Sequence, residues 1–250
     1  MRLCRVIHEG DARYGVVGDE GAITLISDEP FAAWEPVDEI SLAGAEFIAP
    51  VVPTKVVCVG VNYRDHAAEM GHELPSVPVL FLKPPTSVIG PGADIVWPEM
   101  AARVDHECEL AVVMGRYTRR VTAEAARGSV LGFTCANDVT ARDLQQVDGQ
   151  WTRAKGFDTF CPLGPWIDTD VDPSDLAVEC WVNGERRQAG RTSDMVFDAM
   201  TLVSFVSHVM TLLPGDVVLT GTPSGIGPLD RGDQVEVRIE GIGSLHNRLV

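Results

Sequence analysis

The sequence predicts a mixed α+β fold that is mostly β, with long loops between its strands. Short apolar runs of strand-like composition recur along the chain, whereas only two segments show a clear helical pattern. Loops rich in proline and glycine separate the runs, as at Lys83-Pro84-Pro85. The runs are spaced too irregularly for a simple up-and-down barrel.

Residues 1–50 are predicted to form a small β-rich N-terminal domain. Two apolar runs, residues 14–17 and 22–26, flank a turn at residues 18–21, and this arrangement is typical of a hairpin. Two prolines then mark a linker. A second and larger domain is therefore predicted over residues 51–250.

The second domain is predicted to contain further strands and two helices. A short helix over residues 64–70 ends at Gly71, and a long apolar helix over residues 194–213 ends at a Pro-Gly pair. The predicted strands cover residues 55–61, 79–82, 110–114, 132–136, 178–182, 217–220 and 234–239.

The composition argues against several classes of function. With 36 acidic and 20 basic residues among 250, the formal net charge is −16, which repels phosphate backbones and anionic membranes. We therefore expect neither a nucleic acid nor a membrane as partner. The N-terminus lacks the apolar segment of a secretory signal, and the six cysteines form no CxxC pair, which together predict free thiols in the cytoplasm.

Three acidic residues are candidates for a metal site. Glu107 and Glu109 precede an apolar run, and on a strand residues two apart share a face, so their carboxylates would lie side by side. A divalent cation that prefers oxygen ligands, such as Mg²⁺, Mn²⁺ or Ca²⁺, would relieve their repulsion. Asp138 follows a buried run and can complete the set. The alternatives are an exposed face with two solvated glutamates and an Asp138 that only caps a turn.

Two further motifs indicate catalysis. Lys155, one of three lysines, lies among glycine and aromatic residues, and a cation placed there can stabilise an enolate. The alternative is a surface lysine paired with Asp158. His66 and Glu69 are three residues apart in the predicted short helix and so face each other. A carboxylate on one ring nitrogen makes the other more basic, although such a pair can also serve only to stabilise the helix.

Taken together, the motifs resemble the fumarylacetoacetate hydrolase family from about residue 55 to the C-terminus, in particular its short acylpyruvase, fumarylpyruvate hydrolase and hydroxyheptadienedioate isomerase members. No single motif is decisive, but six in family order are highly specific. They are Gly60-Val61-Asn62-Tyr63 with Asp65-His66 and Glu69-Met70; Phe81-Leu82-Lys83-Pro84; His106-Glu107-Cys108-Glu109-Leu110; Asn137-Asp138-Val139-Thr140-Ala141-Arg142-Asp143-Leu144-Gln145; Lys155-Gly156-Phe157-Asp158; and Thr220-Gly221-Thr222-Pro223-Ser224-Gly225-Ile226-Gly227.

The resemblance implies a β-roll or barrel-like core beside the small N-terminal domain, usually in a homodimer, and it implies a role for each candidate residue. The implied metal ligands are Glu107, Glu109 and Asp138. The implied catalytic residues are His66, Glu69 and Lys155, and the implied substrate contacts are Arg142, Gln145 and Thr222.

The resemblance also implies a divalent-metal-dependent hydrolase of aromatic catabolism, which cleaves a carbon–carbon bond in a small 2-oxo or 1,3-dicarbonyl acid such as an acylpyruvate or fumarylpyruvate. His66, oriented by Glu69, would activate the attacking water. Without a suitably placed water, the same site supports decarboxylation of oxaloacetate or isomerisation of 2-hydroxyhepta-2,4-diene-1,7-dioate. A further alternative is a non-catalytic protein that binds a dicarboxylate.

Overall fold

The computed structural model describes residues 1–18, 21–71 and 73–250, and the middle of the predicted turn at residues 18–21 lies outside these ranges. The described residues form twenty strands and five α-helices. The strands are β1 (Arg2–His8), β2 (Asp11–Val17), β3 (Ala22–Ile26), β4 (Pro36–Ser41), β5 (Glu46–Phe47), β6 (Val56–Gly60), β7 (Val79–Lys83), β8 (Val88–Ile89), β9 (Asp94–Ile95), β10 (Val104–His106), β11 (Cys108–Met114), β12 (Val130–Asn137), β13 (Thr140–Ala141), β14 (Cys161–Asp168), β15 (Ala177–Val182), β16 (Glu185–Arg191), β17 (Val217–Leu219), β18 (Gly227–Leu229), β19 (Gln234–Ile239) and β20 (Gly243–Leu249). The helices are α1 (Arg64–Glu69), α2 (Ala123–Ala126), α3 (Arg142–Asp148), α4 (Thr152–Lys155) and α5 (Ala199–Val209).

The strands form three sheets, and the predicted mostly β class is confirmed. The largest sheet has the order β4-β3-β2-β1-β14-β12-β11-β17-β6-β7, with β5 paired to β1 and β8 paired to β14. A five-stranded sheet has the order β16-β15-β19-β20-β9, and a three-stranded sheet has the order β13-β10-β18. Among the described strands, only the pairings of β17 with β6, β14 with β8 and β20 with β9 are parallel.

The N-terminal strands extend the largest sheet. β1 pairs antiparallel with β14, so that Leu3 lies opposite Ile167. Leu3 packs in the same apolar cluster as Leu163 of β14 and Val56 of β6. The first fifty residues therefore share both a sheet and part of a core with the rest of the chain.

The strand that leads away from the acidic motif is buried on both faces. Along β11, Leu110 and Val112 point into the large cluster shared with the five-stranded sheet and α5. The alternate residues Ala111 and Val113 point into the cluster on the opposite face. A strand covered on both faces has a continuous apolar sequence, which is why this run lacks polar alternation.

The long helix is shorter than the sequence predicts, and this prediction is wrong at both ends. α5 begins after Asp198, whose side chain accepts a hydrogen bond from the Thr201 N–H, so the chain enters the helix five residues later than residue 194. The helix ends at Val209, because Leu212 forms an isolated β-bridge with Thr118 instead of continuing the helix.

Several strands were not predicted, among them β14, β16 and β20. β14 contains two prolines and a glycine, residue types that are depleted in strands. β16 is rich in charge because its exposed positions face solvent, and β20 alternates buried with exposed positions.

All six cysteines are buried free thiols, as the sequence predicts. Among the described residues, no helix is long and apolar enough to cross a membrane.

Candidate metal centre

The three candidate ligands meet where β10 ends, β11 begins and β12 ends. Antiparallel pairing places Cys108 of β11 opposite Asn137 of β12, so the residue after β12 lies beside the residue before β11. The backbone N–H of Asp138 donates to the Glu107 carbonyl (2.8 Å), and the Glu107 N–H donates to the Asn137 side-chain oxygen (3.0 Å). Strand register therefore brings together acidic residues that are about thirty positions apart in the sequence.

One oxygen from each of Glu107, Glu109 and Asp138 lies within 4.8 Å of the others. All three side chains are buried, with Glu109 only 1% exposed. The alternative of two solvated glutamates is therefore wrong. The Asp138 carboxylate contacts two lysines, so the alternative in which it only caps a turn is wrong as well.

Two buried lysines neutralise part of this charge. The Lys155 ammonium donates to Glu107 (2.8 Å) and to the Asp138 Oδ2 atom (2.6 Å), so it is not a surface lysine paired with Asp158. Lys83 donates to the Asp138 Oδ1 atom (2.5 Å) and to the Val139 carbonyl (3.1 Å). Burial opposes the charge of Lys155, but Asp138 and Glu107 outweigh it and raise the pKa of Lys155 above its ordinary value. Lys155 is therefore a cation at neutral pH.

The two glutamates have opposite electrostatic environments. Burial disfavours ionisation of Glu107, yet the Lys155 and Arg142 cations prevail and lower its pKa. Burial, followed by the Asp138 and Glu107 carboxylates, raises the pKa of Glu109 well above its ordinary value. Glu109 accepts one hydrogen bond, from the Gly221 N–H (2.6 Å), and within the described ranges no lysine or arginine forms an ion pair with it.

These residues fit a divalent cation. Three carboxylates supply the hard oxygen ligands that Mg²⁺ and Mn²⁺ prefer. Burial and then the Asp138 and Glu107 carboxylates raise the pKa of Glu109, which has no lysine or arginine partner among the described residues. A cation bound by Glu107, Glu109 and Asp138 would balance their negative charge.

Arg142, a predicted substrate contact, is held firmly within the protein. Its guanidinium donates to the buried carboxylate of Asp105 (2.9 Å), to Glu107 and to the side-chain oxygen of Gln145 (2.5 Å). Arg142 and Gln145 both line the cavity described below. Arg153, by contrast, forms an exposed ion pair with Asp148 and is absent from the lining.

His66 and Glu69 contact each other across one turn of α1. The distance from the His66 Nδ1 atom to the Glu69 Oε2 atom is 3.1 Å, and His66 is 7% exposed. The other oxygen of Glu69 accepts a hydrogen bond from the Gly225 N–H (3.0 Å). Asp65, at the start of the helix, accepts one from the Ser224 hydroxyl (2.6 Å). The loop after β17 therefore fixes the helix that carries the histidine.

A strained turn precedes α1. Val61 has a φ of 57°, in the left-handed region that β-branched residues rarely occupy. The next residue holds the turn in place, because the Asn62 side chain donates to the carbonyls of Phe197 (2.9 Å) and Thr220 (2.7 Å). Gly221 passes so close that a Cβ atom there would lie 2.8 Å from the Asn62 Cβ.

A single cavity of about 240 Å³ joins these groups. Of the nine residues that the sequence predicts for the site, eight line this cavity. The ninth, Glu69, lies behind His66 and contacts its ring. Val61, Phe81 and Trp151 give the cavity an apolar side. The volume suits a small molecule rather than a polymer.

Three buried polar residues were not predicted for the site. Lys83 lies in a motif shared with the family and is one of only three lysines, so its scarcity could have identified it. Asp105, which holds Arg142, stands directly before the acidic motif. Gln188, on β16, gives no sequence pattern because its contacts depend entirely on tertiary structure.

The sequence model of the Fumarylacetoacetate (FAA) hydrolase C-terminal family matches residues 55–250. The chain belongs to the fumarylacetoacetate hydrolase family. A second family model, Rv2993c-like, N-terminal, matches residues 1–50.

Several relatives of this fumarylacetoacetate hydrolase family member are similar over most of its length. Protein Rv2993c of Mycobacterium tuberculosis is 54% identical, covering 100% of this chain and 98% of that protein. The human mitochondrial oxaloacetate tautomerase FAHD2A is 43% identical, covering 93% of this chain and 78% of that protein. The crystal structure of 2-hydroxyhepta-2,4-diene-1,7-dioate isomerase from Mycobacterium marinum has a TM-score of 0.93 at 46% identity, covering 100% of this chain and 98% of that one.

Proposed function

We propose that this protein is a divalent-metal-dependent enzyme that moves a proton next to the carbonyl group of a small 2-oxo dicarboxylic acid, interconverting its keto and enol forms. The observation that carries the proposal is the shared cavity, in which the three carboxylates and Lys155 lie together with His66. Enolisation needs an electron-withdrawing group at the carbonyl oxygen and a base at the adjacent carbon. The cavity contains candidates for both.

The metal ligands proposed are Glu107, Glu109 and Asp138, and Mg²⁺ or Mn²⁺ suits their oxygen atoms. A bound cation would act as a Lewis acid on the substrate carbonyl. Lys155 adds a fixed positive charge. Two of its three N–H groups donate to Glu107 and Asp138, and the third has no acceptor among the described residues, so it can donate to an enolate oxygen.

His66 is the proposed acid–base group. The Glu69 carboxylate can only accept, so it selects the tautomer whose Nδ1–H donates to it, and in that neutral tautomer Nε2 is the atom that can accept a proton. The Gly225 N–H holds the second oxygen of Glu69, so the carboxylate that orients the ring is itself fixed. Glu69 therefore fixes the orientation of the His66 ring and restricts its rotation.

Two relatives support this reaction class over others. The chain is similar to an oxaloacetate tautomerase and to a hydroxyheptadienedioate isomerase, and each of those names describes movement of a proton or double bond in a 2-oxo or 2-hydroxy dicarboxylate. Arg142 and Gln145 on the cavity wall are the proposed contacts for a substrate carboxylate. Thr222 is the proposed contact for another polar group of the same acid.

The test is a substrate panel with Mg²⁺ or Mn²⁺ that follows enol absorbance, pyruvate release and carbon dioxide separately. Faster ketonisation of enol oxaloacetate or isomerisation of the heptadienedioate, with no pyruvate or carbon dioxide released, supports the proposal.

His66→Gln should lower turnover at least about 100-fold without changing Mn²⁺ affinity. His208→Gln, on the exposed side of α5, is the matched control. Full activity in His66→Gln or in metal-stripped enzyme would contradict the proposal.

A second candidate is hydrolysis of a carbon–carbon bond in an acylpyruvate or fumarylpyruvate. The His66–Glu69 pair favours it, since the same free Nε2 atom can take a proton from water. Release of pyruvate from acylpyruvates would establish this reaction, and release of carbon dioxide from oxaloacetate would establish decarboxylation. Tight binding of these acids without turnover would instead indicate a binding protein.

The proposed setting is a homodimer in the cytoplasm. Six buried free thiols suit a reducing compartment. β7 is the edge strand of the largest sheet and exposes Val79 and Leu82, which suits coverage by a second copy. The net charge of −16 favours a small-molecule substrate over a polyanion.

A further inference from the structure

The one buried side chain of β16 is an amide. Gln188 is completely inaccessible, whereas the other six residues of this strand are exposed or half-buried. A buried amide lowers stability unless its hydrogen-bonding groups are paired. Gln188 makes four hydrogen bonds, so its placement requires a specific set of partners.

Two of these bonds are accepted and two are donated. The side-chain oxygen accepts from the His106 Nδ1 atom (2.8 Å) and from the Cys108 backbone N–H (3.1 Å). The side-chain nitrogen donates to the Thr222 hydroxyl (2.8 Å) and to the Pro223 carbonyl (2.8 Å). Both acceptor positions and both donor hydrogens of the amide are therefore used.

Main-chain groups fix which way the amide points. The Cys108 N–H can only donate, so it must face the oxygen of Gln188. The Pro223 carbonyl can only accept, so it must face the nitrogen. It follows that His106 donates through Nδ1 and that the Thr222 oxygen accepts from Gln188.

The same network assigns the proton of the Thr222 hydroxyl. That hydroxyl donates to the Cys108 carbonyl (2.9 Å) while it accepts from Gln188. Its only proton is therefore used inside the protein. Toward a ligand in the cavity, the Thr222 hydroxyl can only accept a hydrogen bond.

The groups that Gln188 holds surround the metal centre. His106 and Cys108 are the residues immediately before and after Glu107, and the amide oxygen binds both of them. Thr222 and Pro223 belong to the loop whose Gly221 N–H donates to Glu109. One side chain therefore connects the segment that carries Glu107 with the loop that fixes Glu109.

We infer that Gln188 is a positioning residue for the metal centre: it holds the His106 ring and the Cys108 N–H, one on each side of Glu107, and ties them to the Thr222 loop. The inference rests on the proposed function only in requiring that the centre binds a divalent cation. Groups that hold metal ligands in place typically contribute 10- to 100-fold to metal affinity.

The test compares Mn²⁺ affinity, measured by titration with paramagnetic resonance detection, in three proteins. Gln188→Met keeps the length of the side chain and removes all four hydrogen bonds, and we expect it to weaken Mn²⁺ binding by about 10- to 100-fold. Asn247→Leu is the matched control, since Asn247 is another buried amide, which donates to the Gly90 and Ala93 carbonyls and is absent from the cavity lining. Both variants should lose stability, but only Gln188→Met should lose metal affinity.

The outcomes separate this inference from the proposed function. A folded Gln188→Met protein that binds Mn²⁺ as tightly as the unchanged protein overturns the inference alone. An equal loss of affinity in Asn247→Leu also overturns it, because the effect would then be a general loss of stability. An unchanged protein that does not bind Mn²⁺ overturns both proposals.

A measurement on the unchanged protein covers the case in which Gln188→Met does not fold. Nitrogen-15 NMR of the histidine rings reports which nitrogen carries the proton. The inferred network requires the proton of His106 on Nδ1. A proton on Nε2 alone would leave the Gln188 oxygen without this donor and would overturn the inference.

Discussion

At the scale of single residues, Glu109 is the least compensated acid of the centre. It lies beside Asp138 and Glu107, and its one hydrogen-bond donor among the described residues is the Gly221 N–H. Burial and the two neighbouring carboxylates raise its pKa, so the folded protein binds a proton there more tightly than the unfolded chain does. In the metal-free protein, the stabilisation linked to this proton is complete below the ordinary glutamate pKa and is lost as pH rises through the raised pKa.

We therefore predict that Glu109→Gln stabilises the metal-free protein at pH values above this raised pKa, where it removes a buried charge while keeping the shape of the side chain. The same variant should lose Mn²⁺ binding. In the unchanged protein, Mn²⁺ at a hundredfold excess over its Kd should add about 2.7 kcal/mol to the free energy of unfolding, and the variant should gain nothing.

Urea unfolding from pH 4 to pH 9, with and without Mn²⁺, measures these effects. Glu107→Gln is the informative comparison, because Lys155 and Arg142 lower the pKa of Glu107 despite its burial. The stabilisation that the ionised Glu107 contributes is present above the ordinary glutamate pKa and is lost as pH falls through the lowered pKa of Glu107. Glu107→Gln should therefore destabilise the metal-free protein. Equal effects of the two substitutions would contradict the charge assignment.

Sequence reasoning at this scale identified residue types better than their environments. Glu107, Glu109, Asp138 and Lys155 were predicted to act together. The structure places one oxygen of each carboxylate within 4.8 Å of the others, and Lys155 donates to Glu107 and Asp138. Their roles remain proposals. Lys83 was missed because the sequence does not show which lysines are buried. Lys83 is buried and Lys55 is not, and this difference follows from how β7 packs rather than from local sequence.

At the scale of elements, α5 shows how a single cap sets a helix start. The Asp198 side chain accepts hydrogen bonds from the Thr201 N–H (2.8 Å) and from the Thr201 hydroxyl (3.1 Å). Asp194 lies four residues earlier, as the last residue of a separate short 3₁₀ helix, and accepts a hydrogen bond from the N–H of Arg191 at the start of that helix. The apolar stretch alone could not show which acidic residue begins the helix.

We predict that Asp198→Ala lowers the free energy of unfolding by about 1 kcal/mol, since it leaves the first N–H groups of the helix without an acceptor. Denaturant unfolding provides the measurement. The exposed Asp158 serves as the control, and Asp158→Ala should change stability by less than about 0.5 kcal/mol. A loss of similar size at both positions would argue against a specific capping role.

The element that carries His66 depends on a distant loop. α1 has six residues, too few to be stable alone in water. Its carboxylates at Asp65 and Glu69 bind Ser224 and Gly225, more than 150 residues later in the chain. The sequence predicted the contact between His66 and Glu69 because it is local, and it could not predict this loop.

At the scale of the whole molecule, the sheets determine which groups are accessible. Each of the six cysteines is buried, and burial raises the pKa of Cys4, Cys161 and Cys180 to about 12. A buried, protonated thiol reacts slowly with disulfide reagents.

We predict that the native protein shows almost no fast-reacting thiol, whereas the denatured protein shows all six. Titration with a chromogenic disulfide reagent, with and without guanidinium, gives both counts. Both samples are prepared without reducing agent. A count of six in the denatured sample shows that no thiol has been lost to oxidation. Several fast-reacting thiols in the native state would contradict the burial described here.

Sequence alone determined the mostly β class, the family and the residue types of the centre, because alternation, turn residues and motif order are local properties of the chain. Tertiary structure decided that Lys83 and Lys155 share Asp138, that Glu109 has no cationic partner among the described residues, and that Gln188 connects the strand and the loop of the centre. These facts depend on burial and on pairing between segments far apart in sequence. Charge in a low-dielectric interior is governed by its neighbours in space, and only the packed fold specifies those neighbours.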